Sequence, residues 1–430
     1  MNTTGAKLFR DPVHDIIPLD QSDPIDQTLF ALINTPEVQR LRRIRQLGMS
    51  FLVYHGAEHS RFTHSMGVCH LARKMHERLF HDGDGDRLAL SCAALLHDIG
   101  HGPFSHVIER ISGVHHESIT QRVLEGSGTA VHRILLEADE SLPNRIVSIL
   151  QGTHAIPALT DIVSSQLDAD RLDYILRDRL ATGVRIGDYD LGRILEMLRL
   201  KDGALVVHER AQEAIEGYLL ARFHMYTQVY LHKTSRSAER MLAAAIERVR
   251  ELRASGFQFR YFPADLPLAR LLQGEVLEVS EHCSLDDTDL WHAFKHWAKE
   301  ADPILAEISA GLVNRQLYKT ISIAADDPRG EAGVIADARD EVESAGEDPR
   351  YHLLVDHSRD TGYRPYQPGL KTQPIRILEE SGHVRPIETR SAIVKSLGAH
   401  LHERSRLCVP ARLAERIRSV AGPQSAPRLI

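Results

Sequence analysis

Cysteine is scarce: Cys69, Cys92, Cys283 and Cys408 are the only four in 430 residues, and none is close to another in sequence. That spacing argues against a disulfide framework or a zinc knuckle, and a reducing, cytoplasmic setting is expected. Long apolar runs are missing too. No stretch of about 18 apolar residues occurs, so no membrane span is expected. The first residues, MNTTGAKLFRDP, lack the apolar core of a secretion signal. Positive charge is outnumbered, 52 Lys and Arg against 59 Asp and Glu, for a net charge of −7. A duplex-DNA binder over its whole length is therefore not expected. A nucleic-acid partner is not indicated, although local basic patches stay open. Internal repeats are absent. Histidine, in contrast, is abundant at 25 residues. It is the side chain that both titrates near neutrality and binds metals, so the excess asks for a site.

The chain is longer than one typical core needs, and a large domain with a satellite is expected. KLFRDPVHDIIPLD has β-prone pieces broken by Pro12 and Pro18 and predicts a strand or hairpin. From Asp26 onward, Leu29, Leu32, Ile33, Val38, Leu41 and Ile44 recur at helical spacing, with Pro36 at a helix start. HSMGVCHLARKMHERL has one apolar face, whereas RLALSCAALL is apolar nearly all round and predicts a central helix. Ala211 to about Ser255 predicts one long helix or two, with a break near Thr234 or Ser235. Past Gly256 the texture changes. Ser284–Ile323 predicts two helices and a strand, and Asp326–Asp348 a solvated acidic segment. Strands follow, with a hairpin around Ser381-Gly382. The arginine-rich last 30 residues read as a surface helix, or an anion or subunit contact. The expectation is a mostly α chain: a helical body over residues 1–255 and a smaller α+β part over 256–430.

Three His-Asp dipeptides occur, His14-Asp15, His81-Asp82 and His97-Asp98, so the dipeptide alone is weak evidence. HDGDGDR hints at a calcium loop. An EF-hand beginning at Asp82 needs glycine sixth and glutamate twelfth, where Arg87 and Ala93 stand, so a turn is expected. His14-Asp15 reads as structural or as a capping pair. His97-Asp98 differs because the helix before it is apolar enough to be buried. An ionised aspartate there is costly unless paired or metal-bound. A plain C-terminal cap ended by Gly100 explains it as well on its own. Two further segments tip the balance. His64 stands just before an amphipathic helix, and Asp168, Asp170 and Asp173 share one stretch with Arg171 and Arg177. Two imidazoles and two carboxylates, His64, His97, Asp98 and Asp170, can make a mixed N/O site. Such a site suits Mn, Fe, Zn, Ni or Co and, with waters, Mg; spacing does not choose among them.

These motifs resemble the HD-domain phosphohydrolase superfamily, whose signature is H…HD…D on a helical bundle. DPVH, TPEVQRLRRIRQLG, HSRFTHSMGV, LLHDIGHGPFSH, HHES, LDADRLDYILRD and VYLHK run in the order found in the deoxynucleoside triphosphate triphosphohydrolases. They look most like the branch containing the metazoan SAM-and-HD-domain enzyme, here without the SAM domain. The match is close over residues 7 to about 255 and looser beyond. The resemblance implies a divalent metal on His64, His97, Asp98 and Asp170. It also implies hydrolysis of a dNTP at the α-phosphorus, releasing deoxynucleoside and intact triphosphate. His106 and His116 match the family's catalytic histidines, with His106 as general acid. Glu109 would orient a histidine, and His101 would touch the α-phosphate.

For the substrate, the resemblance implies Arg61, Arg222 and Lys233 on the triphosphate, and Gln46 and Leu47 at sugar and base. Tyr174 would pack where a 2′-hydroxyl would sit, and Asp178 would meet the 3′-hydroxyl. Lys7, Asn34, Gln39 and Arg42 match parts of a nucleotide activator site between subunits. The family's guanine-reading acid is Asn34 here. An amide accepts fewer hydrogen bonds than a carboxylate, so GTP is disfavoured as the activator. The expected partners are thus a dNTP, a nucleotide activator and further copies of the chain as a dimer or tetramer. The competing readings are another HD phosphohydrolase (nucleotidase, phosphodiesterase or nuclease) and a nucleotide-gated assembly module with weak turnover.

Overall fold

An antiparallel hairpin opens the chain, β1 (Ala6–Asp11) and β2 (Asp15–Asp20), with Phe9 opposite Ile17. The computed structural model describes residues 5–80, 86–324, 326–360, 373–399 and 402–421; for His106, Arg359, Asp360, Gly398, Ala399, His402 and Glu403 it describes the backbone alone. Helices follow almost without interruption. They are α1 (Pro24–Ile33), α2 (Pro36–Arg40), α3 (Arg61–Leu79), α4 (Arg87–Leu96), α5 (His106–Ser112), α6 (His116–Glu125), α7 (Ala130–Ala138), α8 (Leu142–Gln151), α9 (Pro157–Val163), α10 (Ala169–Thr182) and α11 (Leu191–Glu196). Strands β3 (Leu198–Lys201) and β4 (Ala204–His208) lead into α12 (Gln212–Met225) and α13 (Lys233–Ala254). Next come α14 (Pro267–Leu272), α15 (Val279–His282), α16 (Asp287–Trp297), α17 (Pro303–Val313), β5 (Lys319–Ser322), α18 (Gly330–Ser344) and α19 (Pro349–His352). The last elements are β6 (Leu354–Asp360), β7 (Arg376–Leu378), β8 (Val384–Pro386), α20 (Ala392–Ala399), β9 (His402–Val409) and α21 (Ala414–Ala421). The protein is mostly α, with a helical body and a smaller α+β part. No described helix is long and apolar enough to cross a membrane.

Local chemistry explains the helix starts. Asp23 accepts the N–H of Ile25 with Pro24 beside it, and Thr35 accepts that of Val38 with Pro36 beside it. Helix α4 is central, as its all-round apolar sequence requires: Leu90, Cys92, Ala93, Ala94 and Leu96 are wholly buried. It lies against α3 and α8, and α10 crosses α3.

The packing clusters interleave along the chain. Helix α13 packs through Met241, Leu242 and Val249 with Phe294 and Trp297, and that cluster takes in Met49 and Phe104. Conversely, β7 runs parallel to β4, with Ile377 opposite Val207, so Ile375, Ile377, Ile387 and Val394 return to the first core. A third cluster joins α18 and α21 to the sheet β5-β9-β6.

Three expectations need adjustment. The break after α12 comes earlier than Thr234: α12 runs into one π turn, Tyr226–Tyr230, and His232 caps α13, its Nδ1 accepting from Thr234 N at 3.2 Å. The C-terminal arginines do not form one surface helix. Arg404 and Arg406 lie in β9, where Arg404 is exposed and Arg406 is buried against Asp356, and only Arg416 and Arg418 lie in α21. The turn expected at His81-Asp82 falls outside the described residues. The hairpin around Ser381-Gly382 is present, with Gly382 at φ 85°.

Candidate active site

Three helices bring the four candidate ligands together. His64 lies in the first turn of α3, His97-Asp98 at the end of α4 and Asp170 in the first turn of α10. His64 Nε2 stands 3.0 Å from Asp170 Oδ1 and 3.9 Å from Asp98 Oδ2. His97 Nε2 stands 3.4 Å from Asp98 Oδ1 and 3.8 Å from Asp170 Oδ1. Donors about 2.1 Å from one metal ion stand roughly 3 Å apart when adjacent, so these spacings suit an ion shared by His64, His97 and Asp170, while Asp98 borders it and groups with His101 and His116.

The other ring nitrogens decide which atoms face the centre. His64 Nδ1 donates to Asp173 Oδ2 at 2.8 Å, and His97 Nδ1 donates to the Ala94 carbonyl at 2.9 Å. Both Nε2 atoms therefore face the centre, buried, and are the ring positions that would ligate an ion in place of a proton. Burial disfavours a charged His64, yet Asp170 and Asp173 outweigh it and push the group up to about 10. A divalent cation satisfies the same carboxylates and both Nε2 atoms at once, so the residues fit a metal.

A second layer holds His64. Asp173 accepts from His14 Nε2 at 2.7 Å and from Arg177 at 2.8 Å through both Nε and Nη2. Arg177 in turn donates to Asp11 at 2.9 Å. The approach of α10 to α3 needs Gly67, where a Cβ would lie 1.9 Å from Asp173 Oδ1. His14 is thus buried against the site, and Asp15 pairs outward with Arg10. The sequence reading passed over this layer. Its signal was present in DPVH and in Arg177 four residues after Asp173.

A cavity of about 390 Å³ opens beside the ligands, lined among others by Asp98, Asp170, Arg61, His101 and His116. Arg61 Nη1 donates to Asp98 Oδ2, and its Nε donates to Ser105 Oγ at 2.8 Å. His101 Nε2 lies 3.4 Å from Asp98 Oδ1, and its ring stacks on His116 with centroids 3.8 Å apart. Burial and the Arg61 charge hold His101 well below its ordinary range, hence neutral. His116 goes the other way. Burial alone would lower it, but Glu109 raises it through a 2.6 Å contact with Nδ1. Glu109 also accepts the His116 backbone N–H at 2.7 Å. His106 begins α5 at the same rim, and its side chain lies outside the described residues.

Gln46, Leu47, Tyr174 and Asp178 line this cavity, together with Tyr226 and Tyr230 from the π turn. Gln46 Oε1 is buried with no partner. Asp178 accepts from His59 Nε2 at 2.7 Å and from Tyr230 Oη at 2.8 Å. Arg222 lies behind the lining, with Nη1 donating to Gln166 at 2.9 Å and its guanidinium 5.8 Å from the Tyr226 ring centre. Lys233 does not join it. The helix break separates the two residues, and Lys233 lines a different cavity of about 740 Å³ with Arg315, Lys319 and Arg412. The candidate activator residues gather around the end of α1. Lys7 lies 6.0 Å from the Phe30 ring, Asn34 Nδ2 donates to Phe30 O at 2.7 Å, and Gln39 Nε2 to Ile33 O at 2.7 Å. Arg42 Nε donates to Gln39 at 2.8 Å, and its guanidinium lies 3.6 Å from the Phe62 ring centre.

Comparisons with known proteins agree with this geometry. The HD domain family matches residues 61–177, and the HD associated region matches residues 189–260. The chain is 35% identical over 410 residues to YwfO, an uncharacterized protein of Bacillus subtilis (strain 168), covering 94% of this chain and 92% of that protein. It is 28% identical over 391 residues to the deoxynucleoside triphosphate triphosphohydrolase SAMHD1 of Gallus gallus, covering 78% of this chain but only 60% of that relative. Its fold matches the crystal structure of a phosphohydrolase from Bacteroides thetaiotaomicron VPI-5482 with a TM-score of 0.80 and 32% identity, over 94% of this chain and 99% of that one.

Proposed function

The chain belongs to the HD-domain family of phosphohydrolases, and from that premise we propose that it hydrolyses deoxynucleoside triphosphates to deoxynucleoside and inorganic triphosphate. The observation that carries this reading is the pair of inward ring nitrogens, on His64 and His97, facing Asp98 and Asp170 at the wall of a cavity that also holds Arg61 and two histidines.

A divalent ion held by His64, His97, Asp98 and Asp170 would polarise the α-phosphate and lower the pKa of an attacking water. Arg61, braced by Ser105 and Asp98, presents a fixed fork to the phosphate oxygens. His101, neutral and buried, faces the same phosphate. Attack at the α-phosphorus breaks its bond to the 5′-oxygen, which then takes a proton. The resemblance gives that proton to His106. His116, which lines the cavity, is raised by the Glu109 carboxylate, which suits it to hold or relay the proton. Tyr174 stays a neutral phenol, raised by burial, and packs where a 2′-hydroxyl would sit. Asp178 accepts two hydrogen bonds and keeps lone pairs for a 3′-hydroxyl. Arg222, one layer back, supports the triphosphate side through Tyr226. Lys233 takes no part in this reading. Control by a second nucleotide near Lys7, Asn34, Gln39 and Arg42, in a dimer or tetramer, completes the proposal.

The test is a product assay. Purified protein is incubated with each dNTP and NTP, singly and in pairs, with Mg²⁺ or Mn²⁺, and nucleoside is separated from nucleotides. Nucleoside with intact triphosphate is expected, and the pairs reveal an activator. Monophosphate or diphosphate products would move the function to another HD phosphohydrolase class.

A further inference from the structure

Behind the cavity stands a carboxylate from the second part of the chain. Asp287, the first residue of α16, is 1% exposed. Its Oδ1 accepts the backbone N–H of Phe104 at 2.8 Å, and its Oδ2 accepts that of Arg45 at 3.0 Å. These amides belong to two different loops, and both loops line the cavity. Arg45 immediately precedes Gln46 and Leu47; Phe104 lies between His101 and Ser105.

The second loop is held in a conformation that it would not adopt unaided. Phe104 has φ 49° and Ser105 φ 52°, two consecutive L residues in the region that favours glycine. In that conformation Ser105 Oγ accepts from Arg61 Nε. Neighbouring groups grip the same loop. Arg40 donates to the carbonyls of Ile99 at 2.7 Å and His101 at 2.9 Å, and also to Leu285 at 2.8 Å. His282 Nε2 meets the Gly100 carbonyl at 3.0 Å. Asp287 is not needed as the helix cap, since Asp286 accepts Thr288 N at 2.9 Å and forms the capping box with Asp289.

We infer that Asp287 is a positioning residue: its single carboxylate holds the two cavity loops in register, so that Gln46 and Leu47 face Arg61, Ser105 and His101 across the substrate space. The inference rests on the proposed phosphohydrolase reading only for its activity readout. Asp287→Ala removes both acceptors. The isosteric Asp287→Asn keeps the volume and one acceptor, and serves if the alanine variant does not fold. Asp289→Ala removes half of the capping box of the same helix, where Asp289 accepts the Asp286 N–H, and leaves both loop amides on Asp287.

Hydrogen exchange is read by mass spectrometry on peptides spanning 43–48 and 99–107, without substrate, alongside metal content and kcat. In the Asp287 variants the Arg45 or Phe104 amide should exchange about tenfold faster, the worth of roughly one hydrogen bond. Metal content should stay at the wild-type level, and kcat should fall more than KM rises. Asp289→Ala should lower thermal stability and leave loop exchange and kcat unchanged. Wild-type exchange in both loops, or the same acceleration in Asp289→Ala, would overturn the inference. Because exchange is read without substrate, a chain that released no triphosphate would refute the proposed reaction while leaving this test intact.

Discussion

At the scale of single residues, the site is ordered by which hydrogen bond each histidine makes on its outer nitrogen. Asp173 fixes the His64 tautomer, so Asp173→Asn should weaken metal binding about 10–100-fold. Competition with a chromophoric chelator measures this; unchanged affinity would remove Asp173 from the centre. Glu109 acts on the acid–base pair. It lifts His116 above its usual 6.5, so the charged imidazolium persists to higher pH than it would alone. If His116 supplies the proton, activity is present below that pKa and is lost as pH rises through it. Glu109→Gln removes the anion and should move the alkaline limb of the kcat–pH profile to lower pH. An unmoved limb would leave the proton to His106.

At the scale of elements, α3 and α10 approach so closely that one glycine decides the contact. A Cβ on Gly67 would meet Asp173 Oδ1 at 1.9 Å and Arg177 Nη2 at 2.4 Å, both parts of a buried ion pair. Gly67→Ala should cost about 3 kcal/mol in denaturant unfolding and weaken metal binding as well. Gly217 in α12 is the contrast. Nothing lies within 4 Å of its hypothetical Cβ, so Gly217→Ala should stabilise by about 0.5–1 kcal/mol. Helix periodicity was readable because burial on one face leaves a 3.6-residue trace, and the all-round apolar α4 announced itself as central. The break after α12 was placed too late because the π turn carries no proline or glycine to mark it. The strand position of Arg404 and Arg406 is not legible in the sequence, because Arg406 is buried by its pairing with Asp356, 50 residues away, and leaves no alternation of apolar and polar residues.

Over the whole molecule, metal and fold are linked. His64, His97, Asp98 and Asp170 come from three helices that meet only in the folded state, so an ion held there would bind the native chain and stabilise it. At a hundredfold excess over Kd the gain is about 2.7 kcal/mol. Chelation should therefore lower the melting temperature of the wild type, and Asp170→Ala should melt at one temperature with or without chelator. A wild-type melt indifferent to chelation would place the metal outside the fold's energetics.

The linear chain by itself determined the helical class, the hairpin at the start, the candidate ligands and the family to which they point. Each leaves a local trace, in periodicity, in turn residues or in a short motif. Only the tertiary structure decided the rest. Arg222, behind the lining of one cavity, and Lys233, on the lining of another, are eleven residues apart, and a π turn and a capping histidine end one helix between them. His14 and Asp173 meet across 159 positions. Asp287 reaches Phe104 across 183, and segment 375–397 returns to a core begun at Ile17. Such pairings leave no periodic mark, because what selects them is the burial of a charge and the hydrogen bonds that burial demands, and both exist only once the chain has closed on itself.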